Sequence, residues 1–477
     1  MEQRSRAQAD GIHSRHGYSD PSFWSFKMIN RRNFLSHAGA VSLAGIAATL
    51  ASVKNVQAAD YKALVVVFLS GGFDGNNVLV PLDGAYADYE KARPSLALPK
   101  DSFVSLPGSH IGHKFGLSPA NRAFADLFAQ KRMAVVANAG ALVQPTTMAQ
   151  YKNNAVKLPP FLGSHAEQEQ WIQGWMGDED TSGWGGRTMD AMAANMKSFQ
   201  PLVAMARDYT ALVGRSTSLS LANSGGGARW GNADLSDPNN MSRQRVEWAS
   251  RLQSSNVYDS EFSRSLRSAY SDTVQFALGQ SSGTAPVGVF PDAQIGRDMR
   301  YLARHLAYSK QAGAQRQIYL VQDGGYDTHV DQLSTSTSNP GLEMRIGDVT
   351  NSLVAFDKSI QAYGMNNDVI TVVMSEFGRT LDPASGAGSD HAWGNHWFAL
   401  GGPVKGGVIY GNSFPTLQTG GVDDASFWRP YRGQWLPQFS SDQFMADLVG
   451  WLGLTPAQAL AVMPNLVNFP QKTIGFV

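Results

Sequence analysis

The sequence predicts an α/β protein with a largely parallel sheet flanked by helices, and three observations carry that prediction. Short apolar runs rich in β-branched residues recur at 64–69, 133–137, 317–321 and 369–374, each too short for a helix of its own and so read as a buried strand. Between the last two, Leu342, Ile346, Val349, Leu353, Phe356, Ile360 and Tyr363 recur at alternating steps of four and three, the pattern of an amphipathic helix. Strand, helix and strand then make a crossover unit, which places the two strands parallel in one sheet. Third, the strands run into acidic, Gly-rich turns, and parallel sheets bind ligands at the carboxyl ends of their strands.

Composition bounds what surrounds this core. A chain of 477 residues, 43% hydrophobic and 16% charged, is globular and long enough to bury a large interior. Residues 28 to 59 read as an export signal: Asn30-Arg31-Arg32-Asn33-Phe34-Leu35, an uncharged run from Ala38 to Val53, and a small-residue cleavage site at Val56-Gln57-Ala58. The paired arginines before Phe34-Leu35 look like a twin-arginine leader. That export machinery is therefore an expected partner, and the folded protein is expected in the periplasm or secreted. The apolar run is too short to span a bilayer, so no stable membrane anchor is expected. Met28 stands where such a leader begins, and translation is expected to start there rather than at Met1.

Loss of residues 1–58 removes seven basic and three acidic residues from totals of 39 each, leaving a net charge near −4. Nothing basic enough for nucleic acid remains. With no cysteine in the chain, disulfides are excluded and any metal must be held by oxygen and nitrogen. Residues 59–477 are expected to form a single domain.

Taken in order, the first strand delivers Ser70-Gly71-Gly72-Phe73-Asp74-Gly75-Asn76-Asn77, a carboxylate on a turn whose glycines let the backbone approach a ligand. Ordinary Asp-Gly turns look the same. Helical spacing of Ala123, Leu127 and Phe128 precedes the strand at Met133, and a Pro-interrupted loop then reaches Gly163-Ser164-His165. Ser164 reads either as a helix N-cap or as a nucleophile held in the positive field of that helix end. From about 195 to 290, Gly225-Gly226-Gly227 and a polar helical run from Asn256 to Leu278 suggest a lid or insertion. Ile295, Met299, Leu302, Ala303 and Leu306 then mark one face of a helix, with His305 on its polar or packed side.

The strand at Gln317 ends in Asp323-Gly324-Gly325-Tyr326-Asp327-Thr328-His329, and the strand at Val369 in Glu376, Arg379, the Gly/Ser-rich turn 385–389, Asp390, His391 and His396. Carboxylates and imidazoles on a flexible loop at a strand's end suit a hard or borderline divalent cation. Three acidic clusters after three strands should converge on one sheet edge.

The leader, GGFDGNNVLVP, SHAEQEQW, GGYDTHVDQ, SEFGRT and GSDHAWGNH, in this order, closely resemble the twin-arginine-exported family known as domain of unknown function 1501. That family is itself distantly similar to the alkaline phosphatase and sulfatase superfamily. The resemblance covers essentially the whole chain after residue 58 and implies an alkaline-phosphatase-like fold holding two divalent metals, Zn, Mn, Mg or Ca. Carried over by position, it implies Asp74 as first-strand ligand, Asp327 and His329 on one metal, and Glu376, Asp390, His391 and His396 completing the pair. Ser164 would be the nucleophile, with Arg379 or His165 holding the anion. The chain departs from the superfamily in having Glu376-Phe377 where phosphatases have Asp-His, so one imidazole is missing unless Asp390-His391 replaces it. With no Cys and no Ser-x-Pro-x-Arg, a formylglycine nucleophile cannot form.

Two functions compete at this point. One is an exported metal-dependent hydrolase of phosphate or sulfate esters, acting on a small-molecule or glycan ester. The other is a non-catalytic envelope protein using the same fold to bind an anionic ligand or partner. A metal-free Asp/His network is a third reading, opposed by the mutual repulsion of close carboxylates.

Overall fold

The computed structural model describes residues 60–174, 176, 180–193, 200–205, 209–224, 229–230, 233–234 and 239–477. The expected leader and the Gly225-Gly226-Gly227 loop lie outside the described residues. The elements that position the site are, in chain order, β1 (Lys62–Ser70), α1 (Arg122–Ala129), β2 (Met133–Gly140), α2 (His165–Ile172), α3 (Trp184–Met192), β3 (Leu202–Met205), β4 (Leu219–Ala222), α4 (Val257–Ser282), α5 (Gln294–Gln311), β5 (Arg316–Gly324), α6 (Leu342–Ala362), β6 (Val369–Met374), β7 (Arg379–Ala384), β8 (Gly388–His391), β9 (Asn395–Leu400), β10 (Ile409–Tyr410), β11 (Phe439–Ser440) and α7 (Ser441–Leu452).

Nine strands form the main sheet in the order β10-β2-β9-β6-β1-β5-β3-β4, with β11 also paired to β2. At its centre β1 lies parallel to both β5 and β6, with Leu64 opposite Ile318 on one side and Ile370 on the other. Only β9 runs against its neighbours, antiparallel to β6 and β2. The continuous apolar runs are explained by burial on both faces. Along β1, Ala63, Val65, Val67 and Leu69 enter one core with α5 and α6, where Leu302, Leu306, Leu353 and Phe356 pack. Leu64, Val66 and Phe68 enter the other with Phe444, Leu448 and Leu452 of α7. Each such side chain contributes about 1.5–3 kcal/mol on full burial.

Two expectations about organisation change. The stretch from 195 to 290 is not a separate cover throughout, because β3 and β4 extend the main sheet beyond β5 by parallel pairing. The polar helix α4 lies along α5, where Gln280 donates to the Tyr301 carbonyl and the Tyr308 hydroxyl donates to Gln275. Among the described residues, none of its hydrogen bonds reaches the acidic turns. The Gly/Ser-rich turn 385–389 is likewise not a flexible loop. It joins β7 and β8 into an antiparallel hairpin, pinned to the segment after β5 by Ser389 N–H to Thr328 O and Gln332 N–H to Ala387 O.

No described helix is long and apolar enough to cross a membrane.

Candidate metal centre

Four segments meet at the carboxyl ends of β1, β5 and β6: the turn after β5 carries Asp327 and His329, β8 carries Asp390 and His391, the start of α2 carries His165, and the end of β6 carries Glu376. Glycine makes the convergence possible. Gly71, just past β1, has φ +117°, and a Cβ there would lie 2.4 Å from the backbone nitrogen of Asp327. Its N–H donates to Glu376 Oε1 at 2.8 Å, tying the ends of β1 and β6 together.

The Asp327 carboxylate is the hub. Its Oδ1 lies 3.0 Å from His329 Nε2, 3.0 Å from His391 Nε2 and 2.9 Å from Arg379 Nη2, and its Oδ2 lies 3.6 Å from His165 Nε2. The Nε2 atoms of His329 and His391 are 3.0 Å apart. The other nitrogen of each ring settles which proton it carries. His165 Nδ1 faces Glu376 Oε1 at 2.8 Å, His329 Nδ1 faces Asp390 Oδ1 at 3.0 Å, and His391 Nδ1 faces the Gly163 carbonyl at 2.7 Å. All three are pure acceptors, so each Nδ1 holds a hydrogen, and a ring carrying no second proton turns an Nε2 lone pair toward Asp327.

Three lone pairs and a carboxylate pointed at one another repel unless positive charge lies between them. Protons are one source. The bonds to Asp327 and then Glu376 push His165 up to about 9 against the opposing effect of burial. For Asp327, partial burial works upward, but the bonds from His165 and His391 and the charge of Arg379 outweigh it and hold the carboxyl well below the usual range.

A divalent cation is the other source, and the donor set fits it. Donors about 2.0–2.2 Å from a tetrahedral ion lie about 3.3–3.6 Å apart, close to the 3.0–3.6 Å separations found here. The ligand atoms of His165, Asp327 and His391 all lie within 4.8 Å of one another. An acceptor on the far nitrogen of every ligating imidazole is the usual support of a protein metal site. Orphaned polar atoms border the cluster: among the described residues, Glu376 Oε2 and the Nε and Nη1 of Arg379 are buried without a partner.

The expected residues divide accordingly. Asp327, His329 and His391 are brought together with their donor atoms facing. His165 meets the other oxygen of Asp327 and forms with Asp327 and His391 a group of three donors within 4.8 Å of one another, rather than holding an anion; Phe377 packs its ring against His165 and His391, 4.8 Å from each. Glu376 and Asp390 each set one oxygen behind an imidazole; Glu376 Oε2 stays without a partner among the described residues, while the second oxygen of Asp390 is held by Arg432 Nη2 at 2.5 Å.

Asp74 does not join, because its fully buried carboxylate is paired with Arg93, accepts from Gln332, and caps the single turn Gly75–Val78 through the Asn76 N–H. His396 does not join either. Its ring is wholly buried and stacked on Phe414, its Nδ1 accepts from the Asn138 N–H, and burial pushes it down to about 3. The Ser164 hydroxyl donates to Glu167 and makes no side-chain cap on α2, although its backbone carbonyl accepts from Gln168 N–H.

Gly163, Arg432 and Trp428, whose ring lies 5.7 Å from that of His391, were not singled out in the sequence. Gly163 lies two residues before His165 and could have been noticed from that proximity. Arg432 and Trp428 carried no local signal, since they reach the site from a loop about forty residues further along the chain.

A family model described as "Protein of unknown function (DUF1501)" matches residues 61–424. The chain belongs to the DUF1501 family. No curated protein matches it. Among solved structures, this DUF1501 chain is similar to Ps i-CgsB in complex with k-i-k-neocarrahexaose (10% identity, TM-score 0.32, 86% of this chain and 76% of that one). It is also similar to the PsFucS1 sulfatase from Pseudoalteromonas sp. (11%, 0.31, 90% and 73%) and to the phosphonate monoester hydrolase SpPMH from Silicibacter pomeroyi (11%, 0.29, 82% and 73%). At these scores the likeness says nothing about the chemistry of the DUF1501 chain.

Proposed function

We propose that the protein is an exported metal-dependent hydrolase of phosphate or sulfate esters, carried through the twin-arginine pathway to the periplasm or beyond. The observation that carries this reading is the convergence of three Nε2 lone pairs, from His165, His329 and His391, on the Asp327 carboxylate, each ring fixed from behind by an acceptor. A donor set of three imidazoles and one carboxylate suits Zn or another borderline ion better than Mg or Ca, which prefer oxygen. One cation rather than the expected pair is the reading favoured here, because Asp74 is already neutralised by Arg93.

The cation would supply Lewis-acid charge for an ester oxygen and a nucleophile at neutral pH. The chain's own residues do the rest. Glu376, Asp390 and the Gly163 carbonyl hold the three imidazoles in one tautomer and one orientation. Arg379, fully buried, bonds Asp327 Oδ1 through Nη2 and holds that carboxylate in place. Phe377 walls the imidazoles against water on one side. The engagement of the Ser164 hydroxyl by Glu167 favours a solvent-derived nucleophile over a covalent seryl intermediate, and it also favours the second reading, an anion-binding module without turnover.

Elemental analysis of the purified exported protein, followed by assay against phosphate and sulfate mono- and diesters with Zn, Mn, Mg or Ca, tests the proposal. About one equivalent of metal, lost together with turnover in His391→Ala, is the expected result. A protein that binds none of these metals sinks it. Stoichiometric metal with no turnover moves the weight to the binding module.

A further inference from the structure

Two exposed aromatic rings stand beside the candidate metal centre, each seated on a glycine. Trp428 is 57% exposed, and a Cβ on Gly163 (φ +81°) would lie 2.6 Å from its six-membered ring. Gly163 is the residue whose carbonyl holds His391, and the Trp428 ring is 5.7 Å from the His391 ring. Tyr431 is 67% exposed, and a Cβ on Gly420 (φ +73°) would lie 2.5 Å from its ring. Its neighbour Arg432 holds Asp390, the group behind His329. Phe161, two residues before Gly163, is 71% exposed.

Stability does not account for these rings. Most of their surface remains in water, so they return little of the burial energy an aromatic side chain can contribute. Tyr431 and Phe161 also sit at φ +64° and +53°, a left-handed conformation that costs a bulky residue about 1 kcal/mol or more. Strained backbone that presents aromatic faces to solvent beside a reactive cluster is arranged for a ligand. Each of the two rings abuts a glycine that carries no side chain, and more than half of each residue stays exposed.

The geometry points to a stacking subsite for a sugar ring: the substrate's ester is carried on a saccharide, whose apolar ring face lies on Trp428 and Tyr431 while the ester group reaches the exposed side of Asp327. Polar groups suited to the hydroxyls at a sugar's edge lie alongside. Arg429 is exposed between the two rings in sequence, and the Asp382–Arg432 ion pair (2.8 Å) adjoins Asp390. A docking patch for a protein would be built differently, as contiguous apolar surface with charge excluded from its centre. The inference rests on the metal-centre reading for the identity of the group that is cleaved, and on the aromatic rim alone for the sugar.

Calorimetric titration of the metal-loaded protein with neutral and sulfated hexasaccharides, an aryl sulfate, an aryl phosphate and mononucleotides tests it. At least one hexasaccharide should bind. Trp428→Ala and Tyr431→Ala should each weaken it about tenfold, the scale of one lost stacking contact, with metal content unchanged and Trp428→Phe retaining most of the affinity. Stripping the metal with a chelator should leave neutral hexasaccharide binding within about threefold. Failure of every hexasaccharide to bind, or equal binding by the two alanine variants, overturns the sugar subsite while leaving the metal centre intact. Mononucleotide binding lost on the same substitutions overturns it in favour of a base. Absence of metal from a protein that binds saccharide overturns the hydrolase reading instead.

Discussion

Asp74 and Asp327 occupy equivalent places, four residues past the end of β1 and three past the end of its parallel neighbour β5, yet the chain treats them in opposite ways. Asp74 is sealed, with Arg93 supplying the positive charge and Gln332 and the Asn76 N–H filling its remaining acceptor positions. Asp327 also meets an arginine, Arg379 at 2.9 Å, but keeps 44% of its side chain exposed and gathers three imidazoles around it. A carboxylate at a strand's end needs a cation. Whether an arginine and its neighbours close the carboxylate off or leave it open among imidazoles separates a structural ion pair from a candidate metal centre. Asp442, in the first turn of α7, is a third case. It is buried near Arg187, whose donors are spent on the carbonyls of Val462, Ser182 and Gly174, and burial pushes its carboxyl up to about 7.

The contrast can be broken most violently at Arg93. Arg93→Met strands a wholly buried carboxylate and should cost about 3–5 kcal/mol in denaturant unfolding, while Arg93→Met with Asp74→Asn recovers most of the loss. If the single variant is as stable as wild type, the two sites do not differ as described.

Asp442 sharpens the contrast through pH. Its folded pKa is raised above its unfolded one, so its contribution to stability is fully present below about pH 4 and is lost as pH rises through about 7. Asp442→Asn should therefore gain on wild type by on the order of 2–4 kcal/mol between pH 4 and pH 8. Parallel stability–pH curves for the two proteins contradict this.

At the open site, Asp390→Asn leaves all four donors in place and removes only the charge behind His329. Metal affinity should fall about 10–100-fold in competition with a chelator, with thermal stability of the apoprotein little changed. An unaltered affinity makes Asp390 a bystander.

The smallest effect is expected at His305, a buried imidazole with no cation to serve. Neither of its nitrogens has a partner among the described residues, and burial pushes it down to about 3. His305→Leu should hold or raise stability by about 1 kcal/mol, and a loss of several would reveal a role in the α5 core.

Much of the scaffold was legible in residue order. Val369–Met374 is a strand with the predicted ends, the four-three spacing from Leu342 is α6, and Asp327, His329, His391 and His165 were all named before they could be seen to meet. Other features were not. β3 and β4 are four residues each within a polar stretch, too short to show a period, and exist because β5 offers β3 a parallel edge and β3 offers one to β4. Asp74 and Asp327 look alike on their turns, because Arg93 is nineteen residues from its partner and nothing in the spacing announces the pairing.

The sequence by itself determined the alternation of buried strands and amphipathic helices, and with it the sheet edge at which acids and imidazoles emerge, because burial and backbone hydrogen bonding are settled by local pattern. Tertiary structure alone decided which carboxylate is sealed around its arginine and which, beside its own, stays open among three imidazoles. Charge neutralisation acts through space over a few ångströms, between residues that the chain keeps tens to hundreds of positions apart.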